Sequence, residues 1–272
     1  MQVPELSHIG FHRYQPSLML KPYVQSYWHI YGKVPSTTEY LHPEGGSGLI
    51  FNFGSPFIYN QQRVTTDCIV MGPNTRTTSL TLSGYIDAVG LRFYPGTSYH
   101  FFTLPLNEIP GLPVHPDELS INLSIQPIVD SAESTIEQRL NAIESLLMQR
   151  LSINPELDKR IQPATTWLNL HRTPQSIIHL AEHLNVSARQ LERLFKQWVG
   201  MTPKQFSRIK RVDYARQSLK QFDLSLTDTA YQAGYFDQAH FNHEFKQVVG
   251  LTPGQYRRRA LQKTGSKKPL SA

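Results

Sequence analysis

Two short stretches of this chain set hydrogen-bonding side chains three and four residues apart, the spacing that places them on one side of a helix. Arg189, Glu192, Arg193 and Lys196 form the first set; Asn242, His243 and Lys246, with the small Ala239 on the same face, form the second. An arginine fork can bond the O6 and N7 atoms of a guanine, and a carboxylate can accept from the amino group of a cytosine. Arg189, Arg193 and Glu192 carry that chemistry, while Lys196, Lys246 and Arg208 are suited to phosphate oxygens, which position a duplex without specifying its sequence. No Ser/His/Asp set, phosphate-cradling loop or metal-ligand cluster stands out, so no catalytic residue and no cofactor is assigned. The single cysteine, Cys68, can close no internal disulfide and supply no multi-thiolate zinc site.

The elements that must carry these side chains follow from their surroundings. Leu191, Leu194, Phe195, Trp198 and Val199 form an apolar stripe opposite the first polar set, as an amphipathic helix requires. Upstream, Ala181 suits a close helix approach, Asn185 can take the left-handed conformation that turns the chain, and Ser187 can cap the next helix. Helix, tight turn and helix with an exposed polar face is the helix-turn-helix arrangement, whose second helix enters a major groove.

The arrangement occurs twice. FKQWVGMTPKQF (Phe195 to Phe206) and FKQVVGLTPGQY (Phe245 to Tyr256) agree at eight of twelve positions, and Ala230 with Gly234 repeats Ala181 with Asn185. Thr173-Pro174, Ser187, Thr202-Pro203, Ser225, Asp237 and Thr252-Pro253 each read as a helix start. Between the copies, Phe206, Ile209, Val212, Ala215 and Leu219 form one more stripe, with Lys204, Arg208, Lys210, Arg211, Arg216 and Lys220 supplying charge. A helix of about 20 residues is roughly 30 Å long, close to the ~34 Å between successive major-groove faces of a duplex. Any helical bundle contains a helical hairpin; two copies on a rigid spacer of that length fit a duplex.

The rest of the chain reads differently. Residues 1–150 hold 8 basic and 12 acidic side chains, whereas residues 151–272 hold 19 and 9, so the cationic half is the one that would attract a polyanion. Alternation at Leu80 and Leu82, and at Val89, Leu91 and Phe93, predicts half-buried strands, and GLIFNF (Gly48 to Phe53) predicts another. Ile136, Leu140, Ile143, Leu147 and Leu151 predict a helix over 134–151, packed on its own domain or against a twin. The polar SINPELDK segment marks the domain boundary. No stretch approaches the ~20 apolar residues of a membrane span, and the expected compartment is the cytoplasm.

AEHLNVSARQLERLFKQWVGMTPKQF, KRVDYARQSL and DTAYQAGYFDQAHFNHEFKQVVGLTPGQYR strongly resemble the DNA-binding domain of AraC-type (AraC/XylS) transcription regulators. The resemblance implies that the first helix reads bases through Arg189, Gln190, Glu192 and Arg193 and the second through Gln238, Ala239, Asn242 and His243. Ala239 offers only a methyl group and His243 stands where the family commonly has arginine, so the second unit is expected to contribute mostly phosphate contacts. LHPEGGSGLIFNFG, MGPNTRTTSLTLSG and VGLRFYPG are similar to the cupin-like effector or dimerisation domains of the same regulators. His42 and Glu44 lack the HxH pair of metal-binding cupins, so no metal is expected. Tyr27, Trp28, Tyr40, Phe51 and Phe53 line an effector pocket or form plain core.

The expectation is an α+β chain of two domains. Residues 1–151 form a small cupin-like β-barrel with flanking helices, 158–260 an all-α double helix-turn-helix joined by a linker helix, and 261–272 a disordered basic tail. The resemblance implies an activator of transcription with double-stranded DNA and RNA polymerase as partners, a small-molecule effector or a homodimer partner at the N-terminal domain, and no membrane. A cupin-type enzyme with a nucleic-acid anchor and an effector-free architectural DNA binder are the competing readings.

Overall fold

The computed structural model describes residues 10–265 apart from 110, 122, 131–132, 154–157, 174–175 and 222–223. Residues 154–157 of the expected boundary segment (Ser152 to Lys159), Pro174 of one expected helix start and most of the expected basic tail lie outside these residues.

The N-terminal domain is built on one antiparallel sheet. Its strands are β1 (Gly10–Tyr14), β2 (Val24–Leu41), β3 (Gly48–Asn52), β4 (Phe57–Tyr59), β5 (Gln62–Val64), β6 (Cys68–Met71) and β7 (Thr78–Phe93). They run in the order β1-β2-β7-β3-β6, with the β4–β5 hairpin attached to β7. The two sequence alternations around Leu80 and Val89 thus belong to one long strand, β7, which pairs with β2 along most of its length. Register shifts between Val24 and Ser26 and between Val34 and Thr37 bend the pair.

Because successive side chains alternate, the sheet has two apolar faces. On one, Tyr27, Leu49, Phe51, Val89, Leu91 and Phe93 pack with the short helix α1 (Tyr99–Phe102) and with Ile143 and Leu147 of α3 (Ile136–Ile153). A one-turn helix, α2 (Gln126–Val129), places Ile128 in the same core. Helix α3 therefore spends its apolar stripe on its own sheet. On the other face, Ile30, Leu82, Ile86 and Ala88 form a second cluster with Trp28, Ile50 and Leu80 at its edge.

A buried charge network ties α3 to the sheet. Arg139 Nη1 donates to Asp87 Oδ1 at 2.9 Å, His29 Nε2 lies 3.0 Å from the same oxygen, and the guanidinium stacks 4.2 Å from the Phe53 ring centroid. Burial alone would raise the Asp87 pKa; the hydrogen bonds and charges of His29 and Arg139 outweigh it and hold the carboxyl below its ordinary value.

The C-terminal domain is helical: α4 (Ile161–Leu170), α5 (Ser176–His183), α6 (Ala188–Val199), α7 (Pro203–Gln221), α8 (Leu226–Gln232), α9 (Gln238–Val249) and α10 (Pro253–Gly265). Residues 261–265, expected in the tail, continue the last helix. Two cores share α7. Phe206 and Ile209 belong to the α4–α6 core with Leu191, Phe195 and Val199, while Val212, Ala215 and Leu219 belong to the α8–α10 core with Ala230, Phe241 and Phe245. The repeated T-P-x-Q has a structural reason: in both copies the threonine hydroxyl accepts from the glutamine N–H while the glutamine side chain accepts from the threonine N–H.

The depressed Asp87 pKa fixes a sign. Its contribution to stability is present above the ordinary aspartate pKa of about 3.9 and is lost as pH falls through the lower folded value. Arg139→Met should cost about 3 to 5 kcal/mol at pH 7, and Asp87→Asn should flatten the acid limb of the thermal midpoint measured from pH 6 to pH 2.

Candidate nucleic-acid interface and the cavity behind it

In the first unit Asn185 takes a φ of 52° and the Val186 N–H bonds the Ala181 carbonyl at 3.0 Å, closing the turn between α5 and α6. Ser187 caps α6 by accepting from the Gln190 N–H at 3.2 Å, and Gln190 Oε1 accepts from the Ser187 N–H at 2.8 Å. The Gln190 side chain, expected among the base readers, is therefore held in a capping box at the start of the helix. Leu191, Phe195 and Val199 are fully buried behind α6, and Arg189, Glu192, Arg193 and Lys196 are exposed on its front. Glu192 and Lys196 pair at 2.7 Å.

The second unit repeats this. Gly234 has a φ of 85°, the Tyr235 N–H bonds the Ala230 carbonyl at 3.0 Å, and Asp237 Oδ1 accepts from the His240 N–H at 2.7 Å to cap α9. Gln238, Ala239, His243 and Lys246 are exposed and Asn242 is half-buried. The Gln247 amide donates to His243 Nε2 at 2.7 Å, and Arg208, half-buried on α7, donates to Gln247 Oε1 at 3.3 Å. Arg208 thus braces α9 through Gln247, beside the helix's polar face.

The linker helix is not the solvated charged rod its composition suggests. Lys204 and Lys220 are exposed, but Arg211 and Arg216 are 6% and 4% exposed. Arg211 Nη2 grips both Glu244 oxygens, at 3.2 and 2.9 Å, joining α7 to α9. Burial would raise the Glu244 pKa, and the Arg211 hydrogen bonds and charge override it to leave the carboxylate below its usual value. Arg216 pairs with Asp213 at 2.7 Å. Burial pushes the Lys210 ammonium below the usual lysine range, and its Nζ donates to the Glu44 carbonyl of the N-terminal domain at 2.8 Å.

Two loops of the sheet domain seat the helical domain. His42–Ser47 lies on α7, where Gly45, with a φ of 80°, is so close to Phe206 that a Cβ would stand 2.6 Å from its ring. His42 Nδ1 lies 2.7 Å from Thr77 Oγ1 and its ring meets Tyr256 edge-on. Burial first, then the charges of Arg216, Lys220 and Arg259, push the His42 pKa down to about 3, so the ring is neutral at physiological pH. Glu44 is engaged by Arg92 at 3.1 Å. The second loop holds the far ends of both polar helices. Pro73 abuts Gly200, where a Cβ would lie 2.3 Å away, and the Thr77 N–H bonds the Val248 carbonyl at 2.8 Å.

Between the domains lies a cavity of about 900 Å³. Trp28, Ile30, Ile50, Leu82 and Ile86 supply its apolar wall; Glu39, His42, Arg92, Arg216, Lys220 and Arg259 stand around it, the last three from the helical domain. Of the five aromatics expected in a pocket, Trp28 and Tyr40 line this cavity. Tyr27, Phe51 and Phe53 do not: they project from the opposite face of the sheet into the core beneath α3. Tyr27 and Trp28 are neighbours in one strand, so only one of them can face the cavity. Arg259 sits over the Tyr40 ring at 4.4 Å.

Residues 180–259 match the family model described as a helix-turn-helix domain, and residues 12–113 match a domain of unknown function, DUF6597. The Arabinose operon regulatory protein of Escherichia coli K12 is 26% identical over 125 residues, which is 43% of this chain and 43% of that protein. The HTH-type transcriptional activator RhaS of Enterobacter sp. strain 638 is 33% identical over 129 residues, 47% of this chain and 45% of its own length. The chain thus spans less than half the length of these relatives. ToxT from Vibrio cholerae O395 is 12% identical, covers 85% of this chain and 97% of its own, and superposes with a TM-score of 0.47.

Arg193 is exposed in mid-face on α6. Arg193→Ala should weaken binding to a preferred duplex by about 1 to 3 kcal/mol while sparing random DNA. Competition titrations against both duplexes measure this, and equal loss on the two would remove the base-reading role.

Proposed function

We propose, for a chain whose residues 180–259 match a helix-turn-helix domain, that the protein is a sequence-specific transcription regulator of the AraC type. It reads double-stranded DNA with α6 and α9 and answers to a small molecule held in the interdomain cavity. The observation that carries this reading is that Arg189, Arg193, Gln238 and His243 all stand exposed on two helices whose apolar backs are fixed to one linker. At 1.5 Å per residue the 19-residue α7 is about 28 Å long, which suits neighbouring turns of a duplex.

Arg189 and Arg193 address guanines, Glu192 exchanges its Lys196 partner for a cytosine amino group, and Lys196 and Lys246 neutralise phosphates. The cavity is within the size range of small-molecule sites. Its walls come from both domains, so a ligand there has different contacts according to how α7 and α10 are seated, which is the requirement for coupling. Similarity to a protein named as an activator supports an activating role, with RNA polymerase as second partner, in the cytoplasm where the chromosome lies.

Two measurements test this with the full chain. Mapping of bound chromosomal sites should return one recurrent motif, and binding should weaken steeply between 50 and 200 mM salt. Enrichment no better than for random duplex would overturn DNA reading. A cavity ligand should raise the thermal midpoint, and Ile86→Trp, which fills the cavity wall, should abolish that rise without abolishing basal DNA binding.

A further inference from the structure

Phe236 is 98% exposed, the most exposed large apolar side chain among the described residues. Its backbone is nonetheless tightly placed. It lies between Tyr235, which is 3% exposed, and Asp237, the capped start of α9. A residue in this position, just before the cap, ordinarily packs on the fourth helical residue, here Phe241. Tyr235 has taken that partner, with ring centroids 5.1 Å apart, and Phe236 is left pointing away from the core. Removing such a ring from water is favourable, so the fold leaves an apolar contact unused.

Its neighbours say what would use it. Ala239, also exposed and apolar, follows in the first turn of α9, with the amides of Gln238 and Asn242 beside it. The residues that open a recognition helix are those that reach base edges. The thymine C5-methyl is the apolar feature of the major groove, met by phenylalanine and alanine, while glutamine and asparagine pair with N6 and N7 of adenine. Charge agrees, since Lys246 lies further along the exposed side of the same helix.

We infer that the second unit is a reader of A·T pairs, in which Phe236 and Ala239 contact thymine methyl groups and Gln238 and Asn242 address the adenines. The inference rests on the DNA-reading function proposed above and sharpens it. Under α6, with two arginines and a glutamate, the duplex presents G·C pairs; under α9, one turn away, it presents A·T pairs. The second unit then contributes base recognition and is more than a phosphate anchor.

The test uses the full chain and a duplex selected from a random library. Each thymine is replaced singly by deoxyuridine, which removes the methyl group and keeps every hydrogen bond. Replacement at one to three positions on the α9 side should weaken wild-type binding about 3- to 10-fold, and replacements on the α6 side should not. Phe236→Ala should weaken binding to the thymine duplex by a similar factor and erase the difference between the thymine and deoxyuridine duplexes. Phe236→Leu should keep most of it. Both variants should melt as wild type does, because the ring is almost wholly exposed. A selected motif without A·T pairs on that side, an unchanged deoxyuridine penalty in Phe236→Ala, or loss of transcription with DNA binding intact would each overturn the assignment; the last outcome would make Phe236 a protein contact. A library that enriches no sequence would instead remove the DNA-reading function, and this inference with it.

Discussion

The geometry of this protein depends on one helix having to satisfy two cores at once. The apolar stripe of α7 is divided, with Phe206 and Ile209 committed to the first helix-turn-helix core and Val212, Ala215 and Leu219 to the second. Neither unit can rotate about the linker without opening a core, and close-packed interiors resist that strongly. The Arg211–Glu244 pair removes the remaining freedom of α9 against α7. Both side chains are largely buried, so separating the charges would strand two ions in a poorly solvated place. Two exposed faces on one backbone thereby become a fixed pattern in space.

The sheet domain adds a second constraint from the outside. Pro73 and Thr77 touch the ends of α6 and α9 within five residues of chain, while Gly45 and Glu44 sit on α7. The cavity lies where these contacts converge, and Arg216, Lys220 and Arg259 of the helical domain help to enclose it. A ligand in that space would press on the same helix that sets the reading geometry, so sensing and reading need no long relay between them.

Much of this was legible in the residue order because it is local. Ser187, Asp237, Asn185, Gly234 and the T-P-x-Q repeats act on backbone groups within four residues, and the chain records such interactions directly. The buried stripes of α6 and α7 were equally readable from their period. Gln190 shows where that reading stops. Its helical phase resembles that of a base reader, yet its side chain closes a capping box three residues back.

The sequence alone determined the duplicated helical units, their caps, the linker and the sign of the charge on that half, all through contacts of short range. Only the tertiary structure decided which charges stay in solvent and which aromatics meet the cavity. Arg211 and Arg216 look like surface residues in the linker sequence and are buried, Arg211 against Glu244 and Tyr235 and Arg216 beside Asp213 and Tyr256. Tyr27, Phe51 and Phe53 fell to the core and Trp28 to the cavity through strand parity, with α3 covering one face of the sheet. Both outcomes depend on which distant segment arrives on which face, and residue type and spacing along one segment carry no record of that.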